Sequence, residues 1–124
     1  MLKVLLVDDE PFIIQGLKVL IDWEQEGYTI AGTASNGKEA YDFLKKESVD
    51  LIIADIQMPV MNGYDSTRHI RALERPDIKS MPIIAMSANA FAEDIKLCKE
   101  SGMNEHIVKP IDFGKVLEIL EKYL

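Results

Sequence analysis

The stretch VLLVDDEP, residues 4–11, runs four apolar residues straight into three acids and a proline. An aliphatic run of strand length asks for burial, and adjacent carboxylates resist it. The two demands are compatible where a strand leaves the core and its next residues emerge at the edge of a sheet. Pro11 can then occupy the first turn of a helix that places Ile14, Leu17, Leu20 and Ile21 on one apolar face.

The same alternation recurs along the chain. LKVLLV (2–7), YTIAGTA (28–34), DLIIAD (50–55), MPIIAM (81–86) and NEHIV (104–108) have strand length and composition. Between them lie helical patterns. Asn36 followed by Glu39 suits an N-terminal cap with its reciprocal acid, opening a helix that buries Ala40, Phe43 and Leu44. Further helices are expected near 64–74, 90–101 and 112–123, with Gly102 as a C-terminal stop. Five strands, each followed by a helix, imply an α/β fold: a parallel sheet with right-handed crossovers and helices on both faces. The LLV, LIIA and IIAM runs agree, because strands covered on both faces do not alternate in polarity. YTIAGTA is more mixed and is expected at an edge.

Composition narrows the function. A chain of 124 residues is most simply one domain, here 1–124, and its 48% hydrophobic and 28% charged content is that of a globular protein. The formal charge of -7, from 21 acidic and 14 basic residues, argues against direct nucleic-acid binding by this segment, which would need a basic face. No apolar run approaches the roughly 20 residues of a membrane span, and the N-terminus lacks a signal-peptide pattern, so a cytoplasmic location is expected. The single cysteine, Cys98, cannot form an internal disulfide; its spacing from Phe91 and Ile95 suggests the buried stripe of a helix.

In an open parallel sheet, ligands bind outside the carboxyl ends of the strands, where strand order reverses. Asp8 and Asp9 follow the first strand, Asp55 ends the third, Ser87 follows the fourth and Lys109 follows the fifth. Each alone has an ordinary reading: a helix-capping acid, a turn, a loop hydroxyl, a solvated lysine. Together they converge on one edge. Clustered carboxylates repel unless a cation neutralises them, and a few hard oxygen donors with room for water suit Mg²⁺.

The ordered set VDDEP, LIIADIQMPVMNGYD, PIIAMSA and HIVKPID resembles the receiver domain of two-component response regulators across essentially the whole chain. The resemblance implies a flavodoxin-like doubly wound (βα)5 sandwich with that family's strand order 2-1-3-4-5. It implies that Asp55 is the phosphoacceptor, taking a phosphoryl group from a sensor histidine kinase or phosphotransfer protein. Asp9 would bind Mg²⁺ directly, Asp8 through a metal-bound water, and the backbone carbonyl of Gln57 would complete the protein ligands beside Asp55. Lys109 and the Ser87 hydroxyl would each meet a phosphoryl oxygen, and the Lys109–Pro110 bond would be cis.

Gln57 and Asn89 would flank the route of the hydrolytic water. His106 departs from the family's usual Tyr or Phe; a smaller ring that titrates near neutral pH stands there, either as part of the switch or as a polar residue of an edge strand. The resemblance further implies no catalysis beyond the domain's own phosphorylation and dephosphorylation. Output would run to a domain or partner through residues 90–123, with a homodimer possible on phosphorylation. The first half is similar to receivers preceding AraC-type DNA-binding domains, and ADIQMPVMNGYDSTRHIRAL to those of hybrid histidine kinases. A transcription-factor fragment, a phosphorelay module and a single-domain regulator stay open, as does a degenerate receiver acting only as an interaction module. A dehalogenase-type phosphohydrolase would need an acid where Gln57 stands. A flavodoxin-like cofactor binder would need a phosphate-cradling loop in place of DDEP.

Overall fold

The computed structural model describes residues 1–88 and 91–123. The chain runs β1 (Leu2–Val7), α1 (Pro11–Leu20), β2 (Tyr28–Ala34), α2 (Gly37–Lys46), β3 (Leu51–Asp55), α3 (Gly63–Arg71), α4 (Pro76–Lys79), β4 (Ile83–Ser87), α5 (Ala92–Ser101), β5 (Glu105–Val108) and α6 (Phe113–Lys122). The five strands form one parallel sheet in the order β2-β1-β3-β4-β5. The short α4, which opens on Pro76, is the element the helical periodicity did not announce.

Successive residues of β1 serve two different cores. Leu5 and Val7 join Ile52, Ile83, Ala40, Leu44, Ile70 and Cys98 on one face. Val4 and Leu6 join Ile53, Ile84, Leu17, Ile21, Val116 and Leu120 on the other. This two-sided demand is why the central strands read as unbroken apolar runs: β3 and β4 are buried at every position. The mixed strand β2 lies at the edge, with alternating exposure.

Helix caps follow side-chain chemistry. The Asn36 Oδ1 accepts the Glu39 amide at 2.9 Å, and the Asn62 Oδ1 accepts that of Asp65 at 2.8 Å, each satisfying a first-turn donor that has no intrahelical partner. The Glu39 carboxylate reaches the Ser35 amide and hydroxyl rather than the amide of Asn36, one residue beyond the expected reciprocal contact. Gly102 ends α5 at φ 108, in the left-handed region a side chain disfavours.

Three expected core positions differ. Leu20 is 64% exposed because α1 ends there and Ile21, already extended at φ -112, takes the inward position. Phe91 and Ile95 are 68% and 36% exposed, whereas Cys98 is buried at 2%. Phe91 has extended backbone as the residue before α5, so helical spacing from it to Cys98 does not apply.

The turn after β3 is closed at atomic contact. The Gly63 amide donates to the Ile56 carbonyl at 2.8 Å, and a Cβ at Gly63 would lie 2.5 Å from the Asp55 carbonyl oxygen and 2.9 Å from the Ile56 Cα. These are backbone atoms that cannot rotate aside. Gly63→Ala is expected to lower stability by about 2–4 kcal/mol, as overpacking against fixed atoms does, read as a reduced urea midpoint with unchanged slope.

Candidate functional site

Register brings the acidic and basic residues together. Val7 pairs with Ala54, and Ala54 with Ala85, so the next residues along are Asp8, Asp55 and Met86 in one row. Ser87 follows Met86 and pairs with Val108, which Lys109 follows. The Lys109 amide donates to the Ser87 carbonyl at 2.7 Å, holding the end of β5 against β4, and the Lys109–Pro110 bond is cis.

The Lys109 ammonium sits 3.0 Å from Asp8 Oδ2, 3.4 Å from Asp55 Oδ1 and 3.7 Å from Glu10 Oε1. Asp8 and Asp55 are only 2% and 4% exposed, whereas Asp9 and Glu10 face solvent. Burial is the main reason the Asp55 carboxyl is pushed up to about 6, and the Asp8 charge adds to the rise while Lys109 opposes it. Burial also raises Asp8, against the Glu10 amide bonded to its Oδ1 at 2.9 Å and the Lys109 ammonium. Burial alone would pull Lys109 down; its contacts with Asp8 and Asp55 outweigh that and leave its pKa above the ordinary value.

These side chains fit a divalent cation. Asp8, Asp9 and Glu10 offer carboxylate oxygens within 4.8 Å of one another. The buried Asp8 Oδ2 has the Lys109 ion pair at 3.0 Å but no well-aligned hydrogen bond, so a strong acceptor site on it is unfilled. Three carboxylates, of Asp8, Glu10 and Asp55, thus lie against one ammonium with Asp9 beside them, and hard oxygen donors of this kind match Mg²⁺. Glu10 is the member of the cluster that sequence reasoning left outside the site. Its adjacency to Asp8 and Asp9 was the available signal.

Beyond Asp55, Gln57 is exposed and lines a shallow cavity with Ile56, Asn62, Tyr64, Ser87 and Asp94. Tyr64 and Asp94 were not anticipated there, since the cavity depends on α3 and α5 packing side by side. Asn89, expected beside the water route, lies outside the described residues. The Ser87 Oγ is 2.7 Å from His106 Nε2. His106, half-buried and in register with Ala85, is held below the ordinary imidazole range by burial, against an upward pull from Asp94. Its partner is thus a hydroxyl rather than a charge.

The family model for the response regulator receiver domain matches residues 4–121. A chemotaxis response regulator of Vibrio cholerae superposes with a TM-score of 0.87 at 31% identity, covering 100% of this chain and 99% of that one. The receiver domain of a Pseudomonas aeruginosa sensor histidine kinase, whose crystal structure carries a magnesium ion coordinated in the active site cleft, gives 0.83 at 30% identity over 98% and 96% of the two chains. Among curated proteins, "Probable histidine kinase 1" of Oryza sativa subsp. indica is 32% identical over 98% of this chain, which spans only 15% of that protein's length. With the fold, the strand order and a family match over almost its whole length in agreement, the chain belongs to the response regulator receiver domain family.

Proposed function

We propose that Asp55 accepts a phosphoryl group from the phosphohistidine of a sensor histidine kinase or phosphotransfer protein. The observation that supports this reading best is a buried carboxyl at the end of β3 with an ammonium 3.4 Å away and a second buried carboxylate in the same row. A carboxylate oxygen of Asp55 attacks phosphorus, the P–N bond to the donor imidazole breaks, and an acyl phosphate forms. At neutral pH a group titrating at about 6 is mostly ionised, so Asp55 is present as the nucleophile.

Transfer of this kind needs alignment and charge neutralisation more than covalent help. Lys109 supplies a positive charge to a phosphoryl oxygen, and the Ser87 hydroxyl donates to another. Asp8, Asp9 and the Gln57 carbonyl, with Asp55, would hold Mg²⁺; when bound, the ion offsets phosphoryl charge. The acyl phosphate remains open to water, and Gln57 is placed on the cavity side to influence that approach. The domain would catalyse only its own phosphorylation and hydrolysis. Its output surface would be α5, β5 and α6, within residues 90–123, read by a covalently attached output domain, a separate partner or a second copy of the chain. Among the described residues no helix is long and apolar enough to cross a membrane, and a cytoplasmic site of action suits a kinase partner.

Intact mass after incubation with acetyl phosphate is expected to show a phosphate-sized increment that requires Mg²⁺ and is absent in Asp55→Asn. A folded wild type that gains nothing from acetyl phosphate or from a panel of phosphorylated kinases would instead be a phosphorylation-independent interaction module.

The same crowding sets a stability profile. Because the folded pKa of Asp55 lies above its ordinary value of 3.8, the folded state binds the extra proton, and this group's stabilising contribution is lost as pH rises through about 6. A shift of that size amounts to at most about 3 kcal/mol at neutral pH. In magnesium-free buffer Asp55→Asn is expected to be more stable than wild type by about 1–3 kcal/mol at pH 7, with the gap closing below about pH 4. Chemical denaturation at the two pH values measures it; equal gaps at both would remove the electrostatic explanation.

A further inference from the structure

The contact between Ser87 Oγ and His106 Nε2, at 2.7 Å, joins a hydroxyl at the site to a group that titrates on the output side of the sheet. A hydroxyl has one proton to give. A neutral imidazole with its proton on Nδ1 accepts that proton at Nε2, turning it away from the acceptor carboxyl. An imidazolium can only donate, so its Nε2–H points at Oγ and the hydroxyl proton is released toward the site. We infer that His106 is a positioning residue that sets the direction of the Ser87 hydroxyl proton and thereby links phosphoryl capture at Asp55 to proton uptake by its own ring.

The inference rests on the phosphoacceptor reading of Asp55. Its geometry is independent of the metal: His106 lies on β5 in register with Ala85, between α5 and the sheet edge, and touches the site through Ser87. The charged groups facing it are mixed. From α5 come Asp94 and Lys99; β5 adds Glu105, which Lys122 of α6 holds at 3.0 Å, and α6 adds Lys115 and Glu118 along the bordering groove. Burial lowers the ring's affinity for a proton in the unmodified protein, with Asp94 pulling the other way. A phosphoryl group adds negative charge near Ser87 and needs a donor there, so both effects favour the protonated ring. Linkage makes the coupling reciprocal: what raises proton affinity on phosphorylation must raise phosphoryl affinity on protonation.

The test uses the whole chain and beryllofluoride with Mg²⁺ as an acyl-phosphate mimic, its affinity measured by NMR between about pH 5.5 and 8, the range an imidazole spans. Taking the ratio of wild type to His106→Phe cancels the pH dependence of Asp55 and of the mimic. That ratio is expected to rise about five- to tenfold toward acid, a modest coupling between sites, while the assigned His106 titration midpoint moves up by at least about 0.7 to 1 pH unit on binding. His106→Gln, which keeps a neutral donor and acceptor, should bind the mimic more tightly than His106→Phe by a factor that does not change with pH; it replaces His106→Phe as the reference if phenylalanine disturbs the fold. In a Ser87→Ala background the pH-dependent ratio should vanish.

Parallel profiles for wild type and both His106 variants would overturn the inference. So would a pH-dependent ratio that survives Ser87→Ala, which would show a direct charge effect with no part for the hydroxyl. If no variant binds the mimic at any pH, the phosphoacceptor reading itself fails and takes this inference with it.

Discussion

The structure depends on one ammonium group placed among carboxylates that would otherwise repel. Lys109 lies within 3.4 Å of both buried acids, Asp8 and Asp55. Two buried carboxylates share one cation, and burial, joined at Asp55 by the Asp8 charge, outweighs the ammonium and leaves both carboxyls above their ordinary range. The domain therefore holds stored electrostatic cost at the edge where three central strands end. A divalent cation held there would relieve it.

That arrangement follows from topology. β1 is the strand beside which the sheet order reverses, so the loops after β1 and β3 leave toward opposite faces and open a crevice between them. The glycine at 63 lets the chain turn against the Asp55 carbonyl, and Asn62 caps α3 at the same place. A rigid wall is thus built next to Asp55. Beside it the cavity lined by Gln57, Asn62 and Tyr64 is partly open to solvent.

Much of this was legible in sequence because the main elements have local signatures. Apolar runs of strand length, Pro11 and Asn36 at helix starts and Gly102 at a helix end fixed the order of elements, and acids or a lysine directly after the runs marked the site edge. What sequence spacing missed was set by backbone geometry or by distant parts of the chain. Leu20 ends α1 and Phe91 precedes α5 in extended backbone, so a period of 3.6 does not carry through either position. The Ser87–His106 contact spans neighbouring strands, and the cavity beside Gln57 draws on α3 and α5; neither leaves a local pattern.

The two-faced burial of the central strands has a consequence for how the chain finds its alignment. In a sheet with one wet face, sliding a strand by one residue exposes its apolar set, and solvation alone rejects the error. Here a one-residue slip of β1 would exchange Leu5 and Val7 with Val4 and Leu6 between two equally apolar cores, at far smaller hydrophobic cost. The polar residues at the strand ends then become the marks that distinguish correct from shifted pairing. A displaced β1 would draw Asp8 into the apolar rows or carry it away from Lys109. The charged groups gathered at the site edge thus also act as an alignment code for the sheet that carries them.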